Sequence, residues 1–332
     1  MRVLRHLAIA AFALVAACSP PKTEPVKAPD TGATVTLRFA TDWRAQAEHG
    51  GFYQALASGE YARRGLDVKL VQGGPGVNVP QLLAAGAVDL GMGSNSFIVM
   101  NLANEGVPVK AVAAFMQKDP QVLIAHPDAG VERIADLKGH PILLSDASVS
   151  AFWVWLKAKY GFTDDQVRKY NFNPAPFLSD KRAAQQGYVT SEPYTIEKQA
   201  GLKPKVFLLA DQGYPGYATM VLASDKLIAK SPAAVQAFVE ASAKGWRDYL
   251  TGDPAAADAL IRKDNPEMTQ DILDQARAKL KSYRIIDGDE GAAVGAMTDA
   301  RWKAFFDVAA AQGVYPKTLD YHRAYTLGFA PK

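Results

Sequence analysis

The chain has 332 residues, 48% of them hydrophobic, with 37 basic and 34 acidic side chains and a formal net charge of +3. This small net charge argues against nucleic-acid binding, which requires a concentrated basic surface, and the length exceeds what one hydrophobic core usually holds. Cys18 is the single cysteine, which excludes an intrachain disulfide.

The N-terminus has the pattern of a bacterial lipoprotein signal peptide over residues 1–17. Arg2 and Arg5 precede an apolar run that is too short to span a bilayer and has the length of a signal-peptide core. The "VAAC" that follows matches a lipoprotein box, in which Cys18 becomes the lipid-bearing N-terminus. An ordinary secretory signal with an accidental cysteine is the alternative. Residues 18–33 are rich in proline and charge and predict a flexible tether.

Strand-like and helix-like segments alternate through the first two thirds of the chain. The first predicted strands are "VTLRFA", "LDVKLVQ", "VDLGMG", "VKAVAAF" and "QVLIAH", with helices around 52–64, in "NVPQLLAAG" and in "SNSFIVMNLANEG". A second round comprises "DLKGHPILLS", a helix over 149–160, a strand near 170, a helix near 181–186, then "GYVTS", "PKVFLLA" and "YATMVLAS". This alternation predicts an α/β fold with mostly parallel sheets.

Amphipathic helices follow residue 224. The segments "SPAAVQAFVEASAKGWRDYLTG" and "DPAAADALIRKD" open with Ser or Asp and then Pro, which is typical of a capped helix start. A third helix is predicted in "TQDILDQARAKLKSY". Trp246 and Trp302 lie on amphipathic segments, and we expect both in the core.

Two stretches indicate two similar halves. "LLAAGAVDLGMGS" (82–94) and "RAAQQGYVTSEPY" (182–194) each resemble a helix end, a glycine, a short strand and a loop. Two α/β lobes of this kind leave a cleft at the carboxyl ends of their strands, where open α/β sheets bind ligands.

The loops that leave the predicted strands hold the candidate ligand-binding residues. These are Asp42, Trp43, His49, Ser94, Asn95, Asp146, Trp153, Tyr188, Glu192, Tyr214 and Tyr217. Aromatic faces, carboxylates and donors together suit a planar heteroaromatic ligand. Taken alone, Trp43 would more often be core and His49 a satisfied surface residue. The small polar residues of "GSNSF" are equally consistent with an anion site or a simple helix cap.

The sequence carries few signals of catalysis, and nothing in it singles out a catalytic carboxylate pair. There is no G-x-S-x-G elbow and no nucleophilic cysteine, and the histidines lack metal-ligand spacing. The Gly-rich "GGPGVN" lacks the residues of a phosphate-binding loop. We therefore predict no catalytic residue, no metal and no cofactor.

Several ordered blocks resemble a known family. The blocks are "DW-x5-H-x2-FYQAL-x2-GEYARRGLDVKLVQGG", "VPQLLAAGAVDLGMGS", "EGVPVKAVAAF" and "DLKGHPILLS". Their order is similar to the periplasmic solute-binding proteins of ABC importers, and more closely to the branch shared with fungal hydroxymethylpyrimidine synthase. The similarity spans about residues 35–228. It implies a two-lobed periplasmic-binding-protein (type II) fold with a ligand cleft between the lobes and extra C-terminal helices.

The resemblance also implies lobe boundaries and a binding wall. Lobe one would comprise residues 34–121 and 222–332, and lobe two residues 122–221. Trp43, His49 and the Glu192–Pro193 loop match positions that face the cleft in pyrimidine-binding relatives. The cysteine run and reactive histidine of the fungal synthase are missing, since this chain reads "QGYPGYATM" and "SNSFIVMNL" there.

The expected function is capture of an aminopyrimidine thiamine precursor for an ABC permease. We expect a monomer in the periplasm or on the outer face of the cytoplasmic membrane, anchored by lipid at Cys18. The alternatives are a sulfonate, another anion or a riboflavin-like cargo for the same importer, a pyrimidine synthase or hydrolase, and a lipoprotein sensor that serves no permease.

Overall fold

The computed structural model describes residues 34–74 and 76–331. The predicted signal peptide, the lipidation site Cys18 and the predicted tether lie outside the described residues. Within the described ranges, no helix combines the length and the apolar character needed to cross a bilayer.

The described chain forms two five-stranded sheets. The first sheet contains β1 (Val35–Ala40), β2 (Leu66–Val71), β3 (Leu90–Asn95), β4 (Val109–Met116) and β10 (Ala218–Ser224). The second contains β5 (Gln121–Ala125), β6 (Ile142–Leu144), β7 (Val167–Lys169), β8 (Ala184–Tyr188) and β9 (Lys205–Leu208). The strand orders are β2-β1-β3-β10-β4 and β7-β6-β8-β5-β9.

Each sheet has four strands that run in one direction and one that opposes them. β10 pairs antiparallel with β3 and β4, and β5 pairs antiparallel with β8 and β9, while the other pairs are parallel. The opposing strand is in both cases the first one after the chain crosses between sheets. The two sheets therefore repeat one topology. We call the parts built on the first and second sheets lobe one and lobe two, with α9–α11 counted in lobe one.

The helices cover the sheets and continue beyond the last strand. Their bounds are α1 (Gly50–Ala57), α2 (Val79–Ala84), α3 (Ser96–Asn104), α4 (Asp146–Val149), α5 (Phe152–Tyr160), α6 (Ala175–Ser179), α7 (Glu192–Ala200), α8 (Asp225–Lys230), α9 (Pro232–Thr251), α10 (Ala255–Asp264), α11 (Gln270–Ser282) and α12 (Asp299–Ala311). Local sequence sets several of these ends. Pro232 occupies the first position of α9, and left-handed Gly161 and Gly201 end α5 and α7.

The predicted helix near 181–186 is wrong. Residues 184–188 form β8, an inner strand that pairs with β5 and β6. The "AAQQ" composition favours a helix locally, but pairing on both edges and burial decide the strand. Gly187 therefore lies within a strand and does not end a helix, so the proposed residue-level match of 182–194 to 82–94 fails although the two topologies agree. β10 of the first sheet begins at Ala218, so the predicted lobe boundary at 222 falls within this strand and stays a prediction.

The long helix α9 packs against α1, which starts just after the loop that follows β1. Glycines allow this approach, because a Cβ on Gly245 would lie 2.1 Å from the Gly51 carbonyl oxygen, and one on Gly51 would lie 2.1 Å from the Trp246 ring. Trp246 and Trp302 are fully buried, as expected. The α1–α9 contact holds the loop between β1 and α1 in place.

Candidate functional site

A cavity of about 370 Å³ is lined by residues from both lobes. Loops at the carboxyl ends of β1 and β3 form one wall, and β8 with the start of α7 forms the opposite wall. The segment that links β4 to β5 contributes a third side. The volume is in the range of sites for small molecules.

Most of the candidate residues meet at this cavity. The lining includes Asp42, Trp43, His49, Ser94, Asn95, Tyr188, Glu192 and Tyr214. They come from separate strand ends, which the parallel strands bring to one edge of each sheet. Their role in binding stays a prediction.

Three candidate residues lie elsewhere. Trp153 is fully buried in α5, and its indole donates to Asp164 Oδ1 at 2.8 Å. Tyr217 packs against Trp302 with ring centroids 5.6 Å apart. The Asp146 side chain is 83% exposed and pairs with Lys169. The two aromatic side chains belong to the core, because the rotation of α5 turns Trp153 away from the cleft and the start of β10 does the same for Tyr217. Their positions near loops in the sequence did not reveal these directions.

Asp42 organises the turn after β1. Its Oδ2 accepts a hydrogen bond from Ser94 Oγ of β3, and its Oδ1 lies 3.2 Å from His49 Nε2. Thr41 Oγ1 donates to the Trp43 carbonyl oxygen at 2.8 Å and accepts from Gly73 N at 3.1 Å. These bonds fix the backbone on which Trp43 is presented to the cavity.

Three further carboxyl groups line the cavity with raised pKa values. Burial raises the pKa of Glu48, whose carboxylate accepts from Thr190 Oγ1 across the cleft. Burial also raises the pKa of Asp119 to about 7 and that of Glu192 to about 7. Asp119 accepts from Gln121 N at 2.9 Å and Glu192 from Tyr188 N at 2.8 Å, and both bonds oppose the shift. All three groups can accept hydrogen bonds, and Asp119 and Glu192 can hold protons near neutral pH.

Aromatic rings from both lobes flank the carboxyl groups. The Trp43 ring lies 5.2 Å from that of Phe172, which follows β7 in lobe two. Phe172 has a φ of 59° and is 54% exposed, an uncommon conformation for a bulky residue. Tyr214 packs edge-on against Trp155 of α5. The rings offer flat apolar faces on which a planar ligand could stack.

Sequence reasoning missed several lining residues. The chief ones are Glu48, Asp119, Gln121, Phe172 and Gln186. Glu48 directly precedes the candidate His49, so the motif itself carried a signal for it. Asp119 lies in the link between β4 and β5, and Phe172 in an irregular loop, where only the fold shows what faces the cleft.

The charge of the lining is one-sided. Among the described residues that line the cavity there is no Lys or Arg. No group of three His, Cys, Asp or Glu side chains in the described ranges is arranged to hold a metal ion. The wall can therefore accept hydrogen bonds from amino and imino groups, donate from Ser, Asn and Gln, and stack against rings.

Residues 46–257 match the profile of a family described as NMT1/THI5 like. This match covers more than half of the chain. The chain belongs to the NMT1/THI5-like family. Its predicted membership is thereby confirmed.

Named relatives differ in what they do. The riboflavin-binding protein RibY of Chloroflexus aurantiacus is 26% identical, covering 100% of this chain and 98% of RibY. A formylaminopyrimidine-binding protein of Halalkalibacterium halodurans is 24% identical, covering 70% of this chain and 72% of its own. A 4-amino-5-hydroxymethyl-2-methylpyrimidine phosphate synthase of Aspergillus parasiticus is 24% identical, covering 68% of this chain and 69% of the synthase. The relatives of this chain thus include proteins named for binding and a protein named as an enzyme.

The solved structures show the fold. The periplasmic aliphatic sulphonate binding protein SsuA of Escherichia coli superposes with a TM-score of 0.66 at 16% identity, covering 88% of this chain and 92% of SsuA. The predicted α/β fold of periplasmic binding proteins is confirmed.

Proposed function

We propose that this protein is the solute-binding component of an ABC importer and that it captures a small aminopyrimidine of the kind used as a thiamine precursor. The family and the fold support the importer role, since relatives are named as binding proteins. Closure of two lobes around a ligand is the usual action of this fold.

The composition of the cavity wall carries the choice of ligand. Trp43 supplies a ring face beside the carboxylates of Asp42 and Glu192, and the described lining has no cationic side chain. An aminopyrimidine presents a flat ring with amino hydrogens that carboxylates accept. A sulfonate or another anion would instead need Arg, Lys or free helix amides.

Each residue has a proposed role. Trp43 stacks on the ring, and Glu192 or Asp42 accepts from the amino group. His49 holds a polar substituent or orients Asp42, to which it is already hydrogen bonded. The lobe boundaries, the monomeric state, the permease partner, the lipid anchor at Cys18 and the periplasmic location belong to the same proposal.

Riboflavin is the second candidate cargo. The similarity to RibY spans this whole chain, and the cavity offers aromatic faces on which a flavin ring could stack. The synthase alternative is weaker, because the cysteine run that accompanies that chemistry is replaced here by "QGYPGYATM".

A thermal-shift series tests the cargo. The purified protein is heated with 4-amino-5-hydroxymethyl-2-methylpyrimidine, riboflavin or ethanesulfonate at equal concentrations. A ligand at about a hundred times its Kd adds about 2.7 kcal/mol to the stability of the folded state, so Tm rises by several degrees. We expect this rise with the pyrimidine. A rise with riboflavin or the sulfonate and none with the pyrimidine would show that the proposed cargo is wrong.

A further inference from the structure

The buried acids of this protein fall into two classes. Four acidic residues in the described chain are less than a tenth exposed: Glu48 at 3%, Glu60 at 4%, Asp119 at 4% and Asp258 at 1%. The two outside the cavity are each paired with arginine, Glu60 with Arg63 and Arg64, and Asp258 with Arg277 at 3.0 Å. The two in the cavity wall form no ion pair with Lys or Arg.

The cavity acids are held by uncharged donors and one histidine. Glu48 accepts from a threonine hydroxyl, and Asp119 and Glu192 accept from backbone amides. Asp42 accepts from Ser94 and lies against His49. Such bonds hold each side chain in position, and none of them comes from a lysine or an arginine.

Arg301 does not line the cavity, but its charge acts on Asp119. Its guanidinium donates to the backbone carbonyl oxygens of Gln117, Pro215 and Gly216, and it lies beyond ion-pair distance of Asp119. Its field lowers the pKa of Asp119, yet burial outweighs this effect and leaves that pKa raised. Arg301 therefore does not neutralise the cavity wall.

Buried charges in proteins are normally paired, because removing an ion from water without a partner costs several kcal/mol. The raised pKa values of Glu48, Asp119 and Glu192 reduce this cost, because a protonated carboxyl group carries no charge. The charged and titratable groups that act on Glu48 are His49, Asp42, Glu192 and Tyr188. Those that act on Glu192 are Glu48, Tyr188 and Tyr170. Those that act on Asp119 are Tyr188, Tyr214 and Arg301.

Two further features of the wall suit the binding of a ligand. His49 is 1% exposed, lines the cavity, and its Nδ1 has no hydrogen-bond partner. The rings of Trp43, Phe172 and Tyr214 line the same cavity as the acids, and aromatic faces attract cations. The carboxyl groups and the ring faces thus both favour a positively charged ligand.

We propose that the cavity is a site for a planar organic cation, whose charge takes the place that arginine has beside the other buried acids. This rests on the proposed binding function and narrows it: the ligand is bound as an amidinium-like or protonated heterocycle. Binding releases to solvent the protons that the carboxyl groups held. A neutral flavin or an anionic sulfonate of similar size binds more weakly.

Three probes of similar shape and different charge test which ligand charge the cavity prefers. Benzamidine is a cation, benzamide is neutral and benzoate is an anion, while their planar outlines are nearly the same. Calorimetry of the purified protein with each probe is expected to give benzamidine an affinity at least about tenfold above that of benzamide, because a desolvated charge pair adds to binding. Benzoate is expected to bind least. Equal affinities, tighter binding of benzamide, or no binding of benzamidine would overturn the proposal.

The pH dependence provides a second measurement on the same protein. Benzamidine stays charged between about pH 6 and about pH 8, while carboxyl groups with a pKa near 7 lose their protons over this interval. The affinity for benzamidine is therefore expected to rise with pH, and that for benzamide to stay flat. A flat profile for both probes would contradict the proposal.

Isosteric variants locate the effect. Glu192→Gln and Asp119→Asn remove a negative charge and keep the side-chain shape, so each is expected to lower the ratio of benzamidine to benzamide affinity by about threefold or more. Asp128→Asn is the control, because Asp128 pairs with Lys181 on the surface and does not line the cavity. An unchanged ratio in both cavity variants, with native circular dichroism, would contradict the proposal.

Failure of this inference and of the proposed cargo give different results. If 4-amino-5-hydroxymethyl-2-methylpyrimidine binds but the probes show no charge preference, the charge inference is wrong and the cargo stands. If benzamidine is preferred but the pyrimidine does not bind, the cargo is wrong and the charge inference stands.

Discussion

At the scale of single residues, the wall of the cavity is defined by Trp43 and by the acids around it. Trp43 is partly buried and contacts Phe172 from the other lobe, so its ring is placed where a ligand would enter. Thr41 Oγ1 donates to the Trp43 carbonyl oxygen and accepts from Gly73 N. The side chain can therefore be shortened without removing a support of the core.

The substitution Trp43→Ala is expected to weaken ligand binding at least about tenfold, because both stacking and apolar contact are lost. Calorimetry with the ligand found by the thermal-shift series measures this effect. Tyr321→Ala is a matched control, since Tyr321 stacks on Phe306 and does not line the cavity. Unchanged affinity in Trp43→Ala would remove Trp43 from the site.

The raised pKa of Asp119 predicts that the stability of the folded protein depends on pH. Its pKa of about 7 in the folded protein exceeds its ordinary value, so the folded state binds a proton that the unfolded chain releases. The folded state therefore loses stability as pH rises between these two values. Asn at this position carries no titratable proton and can still accept from Gln121 N.

Relative to the parent protein, the unfolding free energy of Asp119→Asn is expected to increase by about 2 kcal/mol when the pH is raised from about 5 to about 8. Urea unfolding at the two pH values measures the difference. Asp89→Asn is the control, because Arg38 lowers the pKa of Asp89 and its contribution does not change in this interval. A difference for Asp119→Asn that does not grow with pH would contradict the raised pKa.

At the scale of helices and strands, the contact between α1 and α9 supports the first wall of the cavity. Gly50 and Gly51 follow His49 directly, and both lie against aromatic side chains of α9, Tyr249 and Trp246. The glycine pair in "EHGGF" thus serves close packing of two helices. Any movement of α1 would move the turn that carries the candidate residues.

Gly245→Ala is expected to destabilise the protein by about 2 kcal/mol, because a Cβ there would collide with the Gly51 carbonyl oxygen and α9 would have to move. Urea unfolding measures the loss. Gly328→Ala is the control, since a Cβ at that exposed position meets only Thr326 Oγ1 at 3.5 Å. Equal stability of the two variants would mean that α1 and α9 have room to adjust.

At the scale of the whole molecule, contacts across the cleft join the lobes. Thr190 of lobe two donates to Glu48 and accepts from Gln275 of α11. Lys198 of α7 pairs with Asp271 of α11 at 2.6 Å. These contacts stabilise a closed arrangement, and closing is coupled to binding when the ligand prefers that state.

Lys198→Ala is expected to weaken ligand affinity by about threefold, because one exposed ion pair that favours closure is lost. Calorimetry gives the affinity, and small-angle scattering of the ligand-free protein should show a larger radius of gyration. Lys303→Ala is matched, since Lys303 pairs with Asp307 within α12 alone. If both variants bind ligand equally well, the Lys198–Asp271 pair has no part in closure.

The sequence by itself determined the α/β class, the alternation of strands and helices, and the loops from which most of the lining comes. Those features follow from local patterns and from strand ends, which are readable along the chain. It could not place Trp153 or Tyr217, because the direction of a side chain depends on how an element is rotated against its neighbours. It also assigned residues 184–186 of β8 to a helix, since the two neighbouring strands impose the extended conformation there.

Only the tertiary structure decided the character of the site. Asp119 lies in a link between lobes and Phe172 in an irregular loop, and neither has a sequence pattern that marks it. Folding brings them together with Glu48 and Glu192 and keeps lysine and arginine out of the described wall. Charge balance in a cavity is a sum over residues distant in sequence, so it exists only once the chain has folded.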